Sequence, residues 1–135
     1  MVARAGYHRD STYVTFNDYA MLPDEKLAGF TVGAALMAPR LTSRLGAHAA
    51  FDMLLAGKLT QDTGARDGTE TKSVVYYGSA GATLQLVKGL EASLSYAITL
   101  AGFGFAGPSD REASATDGRR KDRQHLVSVG ARYSF

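Results

Sequence analysis

The chain has 135 residues, 45% hydrophobic and 21% charged. That is too apolar for a disordered chain and too polar for a bundle of membrane helices. A net charge of +2 gives no reason to invoke nucleic acid, and the lack of cysteine excludes a disulfide scaffold and a thiolate metal site.

The first residues, MVARAGYHRD, contain no apolar run of the signal-peptide kind. From there on, alternation with period two recurs and predicts six strands, at 3–14, 27–38, 45–59, 73–86, 91–104 and 124–135. In the first strand Ala3, Ala5 and Tyr7 share an apolar face that Arg9 continues. An Arg in the middle of a lipid-facing surface costs about 2–4 kcal/mol. Either Arg9 stands near a membrane edge or the register breaks there. The second strand sets Phe30, Val32, Ala34 and Leu36 against Gly29, Thr31 and Gly33. The third sets Leu45, Ala47, Ala49, Phe51, Met53 and Leu55 against Gly46, His48, Ala50, Asp52 and Lys58. Segments LAGFTVGAALMA and LGAHAAFDMLLAGK also suit a helix, because Ala and Leu are good helix formers and short apolar runs do not discriminate. The fourth strand opposes Val74, Tyr76, Ala80, Ala82, Leu84 and Leu86 to Val75, Tyr77, Ser79, Gly81, Thr83 and Gln85. The fifth opposes Ala92, Leu94, Tyr96, Ile98 and Leu100 to Glu91, Ser93, Ser95, Ala97 and Thr99. Its continuation to 109 is interrupted by Ser, Thr, Gly and Pro and makes a poor spanning helix. In the sixth, Val127, Val129, Ala131, Tyr133 and Phe135 lie opposite Ser128, Gly130, Arg132 and Ser134.

These strands hold more than half of the chain, which suits a membrane barrel better than an ordinary globular domain. Twelve residues at ~3.3 Å each, tilted by ~45°, project to about 28 Å, close to a hydrocarbon core. The connections 15–26, 39–44, 60–72, 87–90 and 105–123 alternate long and short, as in outer-membrane barrels with long external loops and short periplasmic turns. The faces opposite the apolar ones carry Gly, Ser, Thr and Ala with few charges, whereas a solvated outer surface is rich in Lys and Glu. The fold class predicted is therefore all-β: an antiparallel up-and-down transmembrane β-barrel in the bacterial outer membrane. Six strands are too few to close one, since open edges in lipid leave backbone groups unpaired. Residues 1–135 are accordingly expected to form a single segment, the C-terminal part of a larger barrel. The alternative is a chain that closes by oligomerisation.

The ending SVGARYSF supports this reading. Ser128, Gly130, Tyr133 and Phe135 form the pattern polar–x–Gly–x–x–aromatic–x–aromatic. It looks like the C-terminal signal that the barrel-assembly machinery recognises, an extended edge with interfacial aromatics.

Residues 4–36 carry a further pattern. R-A-G-Y at 4–7 is followed by Asp10, Ser11 and Thr12, then by L-P-D at 22–24, Lys26 and a strand with F-T-V-G at 30–33. This segment, about a quarter of the chain, resembles a late strand pair of the FadL/TodX family of long-chain fatty acid outer-membrane transporters. Two more strands follow it than that pattern leads one to expect, and no ligand residue carries over. The resemblance implies passive uptake of hydrophobic small molecules such as long-chain fatty acids, without cofactor or ATP.

Charged and polar residues on the non-apolar faces are candidates to line a lumen: Arg4, His8, Asp10, His48, Asp52, Lys58, Glu91 and Arg132. The plainer interpretation is a charge network that fills the barrel. Glu91 and Arg132 are expected to meet across adjacent strands. His48 and Asp52 share a face and could orient a catalytic imidazole, but no Ser is fixed beside them. His8 and Asp10 supply two ligands, too few for a metal site. The run RRKDR at 119–123 falls in the longest connection, where Arg and Lys could meet lipopolysaccharide phosphates, although a solvated loop is the simpler account. No catalytic, metal or cofactor site is predicted. The expected partners are outer-membrane lipid, the assembly machinery and a hydrophobic ligand, with an oligomer possible and no nucleic acid. The main reading is a channel for hydrophobic small molecules. A structural or adhesion-type barrel is the first alternative and a barrel-embedded lipid hydrolase the second.

Overall fold

The computed structural model describes residues 1–12, 24–61, 67–109, 114 and 117–134. Six strands make up almost all of it: β1 (Val2–Thr12), β2 (Glu25–Ala38), β3 (Leu45–Gln61), β4 (Thr69–Val87), β5 (Leu90–Ala106) and β6 (Asp117–Tyr133). They form one antiparallel sheet in sequence order, β1-β2-β3-β4-β5-β6. β1 and β6 are its two edges, so the sheet is not closed. The segments 27–38 and 45–58 are strands and not helices. Their Ala and Leu residues are overridden by cross-strand pairing, which weak local propensity cannot oppose. No helix among the described residues is long and apolar enough to cross a membrane, a criterion that does not bear on strands.

The sheet has two unlike faces. One carries Tyr7, Phe30, Val32, Phe51, Tyr76, Leu94, Tyr96, Leu100, Val127 and Val129, all exposed. Cross-strand aromatic pairs lie on it, Tyr7 with Phe30 at 5.5 Å and Phe51 with Tyr76 at 5.9 Å between ring centroids. The other face is concave. Its core is a small cluster of Leu54, Leu59, Val75, Phe103 and Phe105, flanked by Leu27, Tyr77 and Ala101. The apolar surface buried inside is thus much smaller than the apolar surface left outside.

Two irregularities shape this frame. In β3, Phe30 pairs with Leu55 but Ala28 pairs with Lys58, so two residues oppose Gly29 alone. This is a β-bulge, with Ala56 in the left-handed region at φ 48°. The bulge inverts the alternation. Leu59 turns into the concave core, and Lys58 turns out beside Ala28 and Arg9.

The second irregularity is a seam. β3 and β4 pair only from Leu45–Leu84 to Leu54–Val75. Beyond that point β3 stays with β2 and β4 stays with β5. The gap leaves a hollow of about 280 Å³ bordered by Leu59, Gln61, Glu70 and Phe105. The Leu59 N–H donates to Glu70 Oε2 at 2.6 Å and bridges the gap in place of a ladder bond.

β6 begins at Asp117, so the run 119–123 belongs to a strand and pairs with β5, not to a loop. β4 and β5 are joined by Lys88 and Gly89 alone, and Gly89 has φ +82°. Arg40–Arg44 form the other compact turn, where the Thr42 hydroxyl accepts the Leu45 N–H at 3.1 Å.

Candidate functional site in the concave face

The concave face encloses a hollow of about 390 Å³ in its upper half, next to the longer connections. All six strands contribute: His8 and Asp10 from β1, Glu25 from β2, Leu59 from β3, Val75 and Tyr77 from β4, Phe103 from β5, Arg120 and Gln124 from β6. The strands reach one another because the sheet is strongly curled. His8 and Tyr77, three strands apart, stack at 4.9 Å between centroids.

Arg120 is the hub. Its guanidinium takes Glu25 in a bidentate pair, with the second bond at 2.8 Å, although β6 and β2 lie four strands apart in the sheet. The same group binds Asp67 at 3.3 Å and Asp122 at 3.0 Å. The Gln61 amide donates to both Glu25 and Asp67, at 2.8 and 3.0 Å. Below the guanidinium lies the Phe103 ring, 4.9 Å from centroid to Cζ. A planar fork with donors on several edges suits such a multi-acid node, which a lysine could not copy. One cation holds three carboxylates and draws the rim of the sheet together.

The sides of the hollow are chemically mixed. Leu27, Leu59, Val75, Ala101 and Phe103 make an apolar floor. Asp10 lies on the wall and makes no ion pair among the described residues, its Oδ1 accepting the Ser11 N–H. The Tyr77 hydroxyl is buried there with no hydrogen-bond partner among them. A buried unpaired hydroxyl costs free energy unless water or a ligand meets it.

Further down the same face a second ion pair crosses a glycine. Arg4, Gly33, Asp52 and Tyr77 stand level in the register. Arg4 reaches Asp52 at 3.2 Å over Gly33. A Cβ on Gly33 would come within 2.3 Å of Asp52 Oδ1. Asp52 is therefore held by Arg4 and not by His48. His48 lies across Gly81, where a Cβ would meet its ring at 2.5 Å. It makes no hydrogen bond to a serine among the described residues. His8 and Asp10 enter the hollow, but the described residues bring no set of three ligands together.

The remaining candidates separate. Glu91 and Arg132 are directly opposed, at 2.9 Å, at the end of the sheet with the tight turns. Lys58 is removed from the concave face by the bulge, which period-two reasoning could not foresee. Ser128 and Gly130 lie on the concave face opposite Ser95 and Ser93, and Tyr133 lies exposed opposite Leu90. Phe135 is outside the described residues. The run 119–123, read from the sequence as a loop, instead supplies the hub: Arg120 and Asp122 turn inward to Glu25 and Asp67, a grouping the sequence does not indicate. Charges at 117–123 hide the strand pattern, but alternation against Phe103 and Phe105 is the signal that would have extended it.

No family model, curated protein or solved structure matches the chain.

Proposed function

We propose that the chain is a membrane-spanning segment of a bacterial outer-membrane β-barrel whose concave face lines a passage for hydrophobic small molecules. The observation that carries the reading is the course of the apolar band on the outer face. In β1 the last apolar residue before charge is Tyr7, with Arg9 above it. In β6 the corresponding residue is Val127, with His125 and Arg123 above it. Strand register, followed through Ala5–Val32–Met53–Tyr76–Leu100–Arg123, sets Ala5 level with Arg123. The upper limit of the band thus descends by about six residues, roughly 20 Å, while crossing five inter-strand steps, roughly 24 Å. A horizontal membrane edge follows this line when the strands tilt by about 40°, within the range of transmembrane barrels at ~35–45°.

Four further points support the proposal. Contiguous large apolar side chains over most of one sheet face exceed what a water-facing surface normally carries. Arg9 falls at the upper edge of the band, where a cation is tolerated. A hollow with an apolar floor and a few polar groups has the make-up of a small-molecule site. The FadL/TodX-like segment at 4–36 suggests the chemical class, long-chain fatty acids among it.

A specific observation favours a second reading, a structural barrel without transport. The Arg120 node and the Arg4–Asp52 pair bridge the concave face and fill part of it. Cysteine labelling separates the cases. Single cysteines at Phe51 and Leu94 are expected to be shielded from a charged maleimide in lipid vesicles. Cysteines at Thr99 and Gln124 are expected to react, and hydrophobic ligand is expected to protect them. Labelling of Phe51 and Leu94 in vesicles at the rate seen in denaturant would refute membrane insertion. Reaction at Thr99 and Gln124 without ligand protection favours the structural barrel.

A further inference from the structure

We propose that the outer face of β4–β6 holds a binding site for a phosphorylated membrane lipid, of the kind that lipid A presents in the outer leaflet. The proposal rests on the membrane reading above. In β6, alternation sends Arg120 and Asp122 inward, where they pair, and sends Arg119, Lys121 and Arg123 outward. On this face Arg119 stands level with Gly104 and Lys72, Lys121 with Gly102 and Val74, and Arg123 with Leu100 and Tyr76. Four cations therefore surround two glycines. All four are exposed, and none of their side chains has an ion pair or hydrogen bond among the described residues. The described acid on this face of β6 is Asp117, at the start of the strand beyond Arg119.

Gly102 opens a groove. Nothing lies within 4 Å of where a Cβ on Gly102 would be. The groove measures about 640 Å³ and is bordered by Val74, Tyr76, Leu100 and Gly102, with Lys121, Arg123 and Asp122, whose carboxylate pairs with Arg120, at its rim. Below it His125 meets the Tyr96 hydroxyl, and from Val127 down the face is apolar. The cations thus stand at the upper limit of the apolar band, at the height of lipid headgroups. Arg and Lys bind phosphate oxygens through charge-assisted hydrogen bonds, and the groove accepts an acyl chain beneath them. An anionic headgroup with an apolar tail matches both halves of the site.

The test uses the full chain refolded in phosphatidylcholine nanodiscs containing diphosphoryl lipid A, or lipid A stripped of its phosphates. Retained lipid is read by native mass spectrometry, and insertion by protection from protease. The wild-type chain is expected to retain diphosphoryl lipid A and not the dephosphorylated form. The variant K72Q/R119Q/K121Q/R123Q is expected to insert normally but to retain it about a thousandfold more weakly, as loss of four charges near a lipid surface implies. Gly102→Leu, which fills the groove and leaves the charges, is expected to weaken retention about tenfold. Equal retention by the fourfold variant, or equal retention of dephosphorylated lipid A by the wild type, overturns the lipid site while leaving the membrane reading intact. Displacement of lipid A by millimolar inorganic phosphate identifies a free-phosphate site and also overturns it. Failure of the wild-type chain to insert overturns both.

Discussion

Arg120 offers the sharpest test of how the curled sheet is held. Glu25 Oε1 and Asp67 Oδ2 both approach one guanidinium nitrogen. With Arg120 gone, these oxygens remain roughly 5 Å apart, and like charges at that distance repel by about 3 kcal/mol at an effective dielectric near 20. Water reaches the cluster, since Arg120 is 26% exposed and Glu25 20%, so the full cost of a deeply buried pair does not apply. Arg120→Met, which keeps the contact over Phe103, is expected to cost about 3 kcal/mol. Glu25→Leu leaves Arg120 with Asp67 and Asp122 and is expected to cost about 1 kcal/mol. The double variant should be less damaging than the sum, because Glu25 no longer faces Asp67 without a cation. The assay is urea unfolding of the chain refolded in phosphocholine vesicles. At an m-value near 2 kcal/mol/M, the midpoint falls by about 1.5 M for Arg120→Met and about 0.5 M for Glu25→Leu. Equal costs for the two single variants, or strict additivity, would refute the picture of one cation serving several acids.

Other consequences can be measured in the same preparation. Gly33→Ala places a methyl 2.1 Å from the Phe51 carbonyl oxygen, and its unfolding midpoint should drop by an amount equivalent to about 2 kcal/mol or more. Phe51→Arg puts a charge in the middle of the outer apolar face and should cost about 2–4 kcal/mol in vesicles. A cost below 0.5 kcal/mol would speak against a lipid-facing surface. Glu70→Ala removes the acceptor that bridges the seam, so the Leu59 amide should exchange with deuterium about tenfold faster. Unchanged exchange would mean that the seam is closed by something other than this bond.

The order, number and pairing of the strands were legible because alternation is strong and the sheet follows the chain. The faces of β2, β4 and β5 agree with the pattern residue by residue, and Glu91 opposite Arg132 followed from register alone. Two things were hidden, for different reasons. The bulge at Ala56 leaves no signature in hydrophobicity, because Leu54, Leu55 and Leu59 are the same residue on opposite faces. It was lost to parity, and Lys58 went with it. The start of β6 was hidden by its charge. Asp117–Arg123 are polar on both faces, one toward the Arg120 node and one toward the outside, so no apolar–polar alternation exists to detect. The node also joins residues 95 positions apart in sequence, a proximity that only the curl of the sheet creates.

The bulge in β3 also decides where this chain can change length. Removing any single residue from the run Leu45–Leu54 would turn part of the strand inside out against its neighbours. Removing Ala56 would not. Gly57 would face Gly29, and the partnerships of Leu55, Lys58 and Leu59 with β2 would stay as they are. The supernumerary residue is tolerated in a conformation that an alanine adopts at a cost of about 1 kcal/mol. What it provides is a bend at the place where β3 parts from β4, since bulges add local twist. A shortened strand would lie straighter and invite β4 to pair onward past Val75, closing the opening beside Glu70. In this sheet one extra residue sets how far two neighbours stay zipped.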